Sequence, residues 1–213
     1  MKTIIKEIKV YQFDELTEEA KQHAINKYSE RQNFDYIYDE AYQTVKKANK
    51  LFNIEEGRNS WLDYSLSHIE DNIMNLKGLR LRTYILNNFE LWKGKYYNVD
   101  ANRPLKHKRV VSKDCKNGNF FVAYYSAIQK ENCCILTGMC YDDDFLKPIY
   151  DFVYHFREFP SANYQTFEDL IQYCFDSLKS SIESEIEYRE SREAIEEEIQ
   201  ENCMEFTEDG NEF

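Results

Sequence analysis

The stretch "CILTGMCYDDDFLKP", Cys134 to Pro148, places two cysteines and three consecutive aspartates in one short window. Such side chains bind divalent metals, and paired carboxylates activate water. The spacing does not complete either chemistry. A calcium loop alternates its ligands in a D-x-D-x-D-G frame, which "DDDFLKP" lacks. A two-metal hydrolase needs carboxylates from elsewhere in the fold, which a sequence does not place. Asp142, Asp143 and Asp144 precede an apolar helical repeat, where negative residues satisfy orphan N–H groups and the helix dipole. Helix initiation outweighs metal binding, and a metal-dependent hydrolase at Asp142–Asp144 with His155 stays as the minor alternative.

The cysteines and histidines add little chemistry. In a strand, Cys133 and Cys134 point to opposite faces, and Cys140 shares the face of Cys134 at a distance. Structural zinc takes four ligands in paired short spacings, and no C-x-x-C occurs. The six cysteines read as reduced and mostly buried. His155 follows Asp151 by four and precedes Glu158 by three, a spacing that serves a helix-surface ion pair as readily as a metal. His23 and His68 show no partner, and His107 lies in a basic run. No nucleotide-binding glycine loop, H-E-x-x-H or G-x-S-x-G is present. No catalytic residue, metal ligand or cofactor is assigned, and the chain reads as a non-enzyme.

Charge is the clearest functional signal. In "RPLKHKRVVSKDCK", Arg103, Lys106, Lys108, Arg109, Lys113 and Lys116 stand against the single acid Asp114, with Trp92, Tyr96 and Tyr97 just upstream. Cations beside aromatics grip a phosphate backbone and stack bases. The same segment could instead pack on acidic helices of its own or another subunit. The acidic counterpart is Glu183, Glu187, Glu190, Glu193, Glu197 and Glu201, with Glu185, Glu196 and Glu198 among them. Such a run is ordinarily a solvated helix face, or it mimics phosphates and occupies a basic groove on a partner. Residues 60–120 carry 11 Lys/Arg against 6 Asp/Glu, and residues 121–213 carry 6 against 22.

The elements that position these residues follow from periodicity. "TIIKEIKVYQF" predicts a strand over 3–12. Thr17 caps a helix with Leu16, Ala20, Ala24 and Tyr28 as its apolar stripe. Asn33 caps a second, over 34–52, with Phe34, Ile37, Ala41, Val45, Ala48 and Phe52 inward. "EEGRNS" reads as a loop, "WLDYSLS" as a strand, and 69–89 as a helix that Gly78 ends or kinks. Residues 92–120 lose helical period and hold the Asn117-Gly118 turn signal, which predicts an inserted basic β-ribbon. "FFVAYYSAI" and "CCILTGMCY" read as strands joined by "QKEN", and "DDDFLKPIYDFVYHF" as a helix. Residues 164–205 form a long acidic helix or helix pair, opened by Thr166 and Asp169 as a capping box. Asp209-Gly210 signals a small terminal β element.

The chain has 213 residues, a net charge of −12, and 42% hydrophobic and 15% aromatic content. That is enough for one compact domain over 1–213. Its 6 glycines and 3 prolines leave little for a flexible linker. No apolar run approaches the roughly 20 residues of a membrane span. The charged start "MKTIIKEIKVYQFDE" is unlike an export signal. The expected class is α+β, predominantly helical, with a small mostly antiparallel sheet.

Three stretches, "YQFDELTEEAKQHAINKY", "WLDYSLSHIEDNIMNLKGLRLRTYI" with "CILTGMCYDDDFLKPIYDF", and "NCMEFTEDGNEF", resemble a group of small proteins of bacteriophages and other mobile elements, some labelled antitoxin-like. The resemblance covers most of the chain and least of 92–120, and it carries over no catalytic or binding residues. It implies a phage protein in the bacterial cytoplasm. Together with the acidic C-terminal third, it leads to the expectation of a protein-binding accessory factor. The expected role is inhibition of a host defence system such as a CRISPR or restriction nuclease, whose nucleic-acid groove the acidic face would fill. The alternative is an antitoxin-like nucleic-acid-binding regulator using 103–116. The expected partners are a nucleic-acid-binding host protein, nucleic acid itself or a second copy of this chain, and not a membrane.

Overall fold

The computed structural model describes residues 8–66, 71–98, 103–104, 122–131, 134–158 and 165–213. It is predominantly helical with small antiparallel sheets, the α+β class expected. Tertiary contacts gather the chain into two compact units, residues 1–38 with 182–213 and residues 39–181.

The first unit is built from the two ends of the chain. Strand β1 (Tyr11–Gln12) pairs antiparallel with β7 (Glu205–Phe206), Tyr11 opposite Phe206. The strand expected over 3–12 is therefore reduced to its last two residues within the described part, because its partner is only two residues long; residues 1–7 lie outside it. Helix α1 (Glu18–Ser29) starts at Thr17, whose Oγ1 accepts from the Ala20 N–H at 3.3 Å. Helix α8 (Arg192–Glu201) starts at Ser191, whose Oγ accepts from the Ala194 N–H at 3.3 Å. Between them lies a core of Phe13, Leu16, Ala20, Ala24, Ile25, Ile195, Ile199 and Phe206. The Phe13 and Phe206 rings meet edge-on at 6.1 Å. After β7 the Asp209-Gly210 turn folds back as expected, with Phe206 bridging Glu212. Gly210 has φ +81°, and a Cβ there would lie 2.1 Å from the Ala20 carbonyl oxygen. Only glycine fits such a position.

The second unit centres on α4 (Gly78–Asn88), α6 (Tyr141–Tyr154) and the larger parts of α2 (Asp35–Phe52) and α7 (Phe167–Arg189). Asn33 Oδ1 accepts from the Asp35 N–H at 2.7 Å, which starts α2 one residue later than expected. The predicted stripe of α2 is buried at Ile37, Ala41, Val45, Ala48 and Phe52, and Phe34 is half-buried. Thr166 and Asp169 form the expected capping box of α7, at 2.7 and 3.1 Å. Phe52, Phe89, Trp92 and Phe167 make an aromatic cluster with centroid separations of 5.2 to 6.4 Å.

Several expected elements differ. "EEGRNS" is no open loop at its start, since β2 (Glu55–Glu56) pairs with β3 (Tyr64–Ser65), which is all of "WLDYSLS" that is strand among the described residues. The helix over 69–89 is broken into α3 (Asp71–Met74) and α4, and Gly78, at φ +54°, begins the second piece rather than ending the first. Strand β4 (Lys95–Asn98) lies between β5 (Arg103–Pro104) and β6 (Val122–Tyr125), all antiparallel, which realises part of the ribbon. "QKEN" does not join two strands, because α5 (Ala127–Glu131) occupies most of it. "CCILTGMCY" is irregular from Cys134 to Cys140, and the reason is the carboxylate of Asp142.

Candidate protein-binding face

Helices α7 and α8 display the acidic residues because of what they bury. Ile195 and Ile199 are four apart and both enclosed in the first unit's core. That fixes the rotation of α8 and turns Glu193, Glu197 and Glu201, also four apart, outward. On the end of α7, Ile182 is buried while Glu183 and Glu187 are exposed, and Glu190 is exposed in the turn between the helices. The long acidic segment is therefore a helix pair, interrupted at Glu190–Ser191, and all six acidic residues singled out from the sequence lie at its surface.

Other acids in the run are neutralised locally. Arg189 Nε and Nη2 both reach Glu185 Oε1, at 3.0 and 2.9 Å, and its guanidinium lies 5.6 Å over the Tyr36 ring. Arg192 bonds Glu196 on α8 and reaches Glu18 on α1 at 3.5 Å. Hydrogen bonds to these carboxylates push both arginines above their usual range. Glu197 accepts a 3.4 Å hydrogen bond from the Tyr188 hydroxyl. Glu187, Glu190 and Glu193 make no ion pair among the described residues.

The charge division is sharp. The first unit holds 8 Lys/Arg against 20 Asp/Glu, and the second holds 19 against 19, so the whole net charge of −12 belongs to the first. The first unit also holds a cleft of about 290 Å³ lined by residues that include Tyr28, Gln32, Tyr36, Arg189, Glu198 and Glu212. Burial, then the hydrogen bond to Glu198, then the Glu198 and Glu212 charges push the Tyr28 phenol up to about 12. The periodicity of α1 marked Tyr28 as apolar, and the cleft itself had no sequence signal, because its walls come from both chain ends.

The aspartate window resolves into a structural device. Asp142 is fully buried at the second position of α6. Its Oδ2 accepts from the N–H groups of Leu136, Thr137 and Gly138 at 2.8, 2.6 and 3.1 Å. Its Oδ1 accepts from the hydroxyls of Thr44 on α2 and Thr137, at 2.7 and 2.8 Å. The donors belong to the preceding loop and a neighbouring helix, so Asp142 pins the loop rather than capping its own helix. Asp143 is exposed, and Asp144 accepts from Ser181 Oγ at 2.7 Å. His155 sits just past the other end of α6, about 20 Å away at the helical rise. It pairs with Glu158 at 3.3 Å, while Asp151 pairs with Lys147. Asp142–Asp144 and His155 therefore do not form one site. Among the described residues no group of His, Cys, Asp and Glu could hold a metal ion. Cys174 is buried, with its thiol pushed up by desolvation; Cys134 is half-buried, and Cys140 and Cys203 are exposed.

Of the basic segment, Arg103 lies on β5; Lys106, Lys108, Arg109, Lys113 and Lys116 lie outside the described residues. No helix among the described residues is long and apolar enough to cross a membrane. Compared with family models, curated proteins and solved structures, the chain matches none.

Proposed function

We propose that this chain is a non-enzymatic, protein-binding accessory factor of a phage or mobile element. It acts in the bacterial cytoplasm, and its acidic α7–α8 face occupies a basic, nucleic-acid-binding groove on a host protein such as a defence nuclease. The observation that carries this reading is the charge division: one unit holds the entire excess of negative charge and exposes Glu187, Glu190, Glu193, Glu197 and Glu201 on one helix pair. A carboxylate ridge in place of phosphates would be drawn to a cationic groove at long range and would compete with nucleic acid there.

The test is capture from bacterial lysate by the wild-type chain and by a variant with Glu187, Glu190, Glu193 and Glu197 all changed to Gln. The wild type is expected to retain a nucleic-acid-binding protein that added DNA or RNA displaces, and the variant is expected to lose it. Equal capture by both chains, or capture untouched by nucleic acid, would overturn the reading. A second reading, nucleic-acid binding by 103–116, draws on the antiparallel β4–β5 pair that leads into that segment. It predicts direct binding of DNA or RNA that falls steeply with salt and is lost when Lys106, Lys108 and Arg109 become Ala.

A further inference from the structure

The geometry points to the cleft of the first unit as a receptor for a single arginine side chain of the protein partner, an inference that rests on the acidic-face reading above. The cleft, of about 290 Å³, opens within the unit that carries all the net negative charge. Its two arginines are already engaged. Arg31 pairs with Glu212, and Arg189 holds Glu185 while covering Tyr36. The carboxylate of Glu198 is different. It lies near enough to the Tyr28 phenol and to Arg189 to raise the pKa of both, yet it makes no ion pair among the described residues. A single neighbouring phenol leaves most of a carboxylate's acceptor sites open.

The second independent feature is Gln32. Its Nε2 donates to the Arg189 carbonyl at 3.2 Å, which fixes the amide's orientation. Its Oε1 is buried and has no hydrogen-bond partner. A buried acceptor left unpaired costs free energy that a ligand donor recovers. The cleft thus offers a carboxylate and aromatic walls, with the unpaired Gln32 oxygen buried in its wall. A guanidinium supplies what these lack: several N–H donors in a fixed plane, a positive charge, and a flat face for aromatic contact. An ammonium would satisfy the charge but not the planar fork, so arginine is the expected side chain.

The test is fluorescence anisotropy of the full chain with a labelled acetyl-(Gly-Arg)4-amide peptide, a lysine version and a citrulline version, the last an uncharged mimic of arginine's shape. The arginine peptide is expected to bind at least about tenfold tighter than the citrulline peptide and a few-fold tighter than the lysine peptide. Glu198→Gln keeps an acceptor for Tyr28 and removes the charge, and it should weaken arginine-peptide binding by about fivefold or more. Gln32→Leu should weaken it as well. Glu19→Gln, an exposed acid of the same unit outside the cleft, should change it less than about twofold. Circular dichroism of each variant verifies the fold. If Glu198→Gln and Glu19→Gln weaken binding equally while the four-Gln variant of the α7–α8 face abolishes it, the cleft inference is overturned and the acidic-face reading stands. If no arginine peptide binds the wild type, the cleft inference is overturned, while the acidic-face reading is decided by the lysate capture.

Discussion

Asp142→Ala is expected to destabilise the protein by about 3–5 kcal/mol. The substitution strips the acceptor from three N–H groups and two hydroxyls. Each buried donor left unpaired costs roughly 1–3 kcal/mol. Two circumstances cap the total. Gly138 is exposed and Leu136 and Thr137 are half-buried, so water re-solvates part of the loop. The Thr44 and Thr137 hydroxyls already lie 3.4 Å apart and can pair with each other. Asp142→Asn sets the scale, because its oxygen can keep the three N–H groups while its amide nitrogen takes the place facing the two threonines. It gives up the charge assistance on those bonds and relieves the burial of a charge, so its cost should stay at about 1–2 kcal/mol. Asp143→Ala, one residue on and exposed, should stay within about 0.5 kcal/mol of wild type. Urea unfolding followed by circular dichroism gives the three values, provided the m-values agree. Hydrogen exchange of the Leu136, Thr137 and Gly138 amides gives the local readout, and their protection should collapse in the alanine variant alone. An Asp142→Ala protein within about 1 kcal/mol of wild type, or with those amides still protected, would refute the clamp.

Four further outcomes follow from the same structure. Gly210→Ala should cost about 2 kcal/mol or more in chemical denaturation, since both its φ and the nearness of the Ala20 carbonyl exclude a Cβ. Stability should fall as pH rises from 10 towards 12, because burial raises Tyr28 and Tyr64 to about 12 in the folded chain while the unfolded phenols ionise near 10. The stabilisation is complete below pH 10 and lost through the folded pKa; Tyr28→Phe and Tyr64→Phe should each flatten that slope in alkaline melts. Ser191→Ala should cost about 1 kcal/mol by removing the cap that starts α8. Ile199→Ala should cost about 2–5 kcal/mol by opening a cavity in the first unit's core.

The helices were legible because local rules govern them. Thr17, Asn33 and Thr166 satisfy N–H groups within three residues, so their function can be read from sequence. The apolar stripe of α2 became a buried face for the same reason: side chains four apart share one side of a helix. Short strands were less legible. β1, β2 and β3 are two residues each, and their existence depends on partners as far away as β7, which no local period records. Gly78 was rightly marked as a break but wrongly oriented, since sequence shows that glycine is unusual without showing which neighbour uses its positive φ.

For the functional surface, the residues themselves determined that charge is segregated along the chain, that no familiar catalytic motif is present, and that the acidic run is helical. These are properties of composition and short spacing. Tertiary structure decided that the acidic excess belongs entirely to the unit made from both chain ends. It also decided that Glu198 and Gln32, from opposite ends of the sequence, share a cleft. Asp142 shows the same limit most plainly: its neighbours in sequence suggested a helix cap, but its burial and its bond to Thr44, 98 residues away, made it an internal clamp. Burial and long-range hydrogen bonding are set by how elements pack, and a carboxylate in a sequence carries no mark of which surroundings it will find.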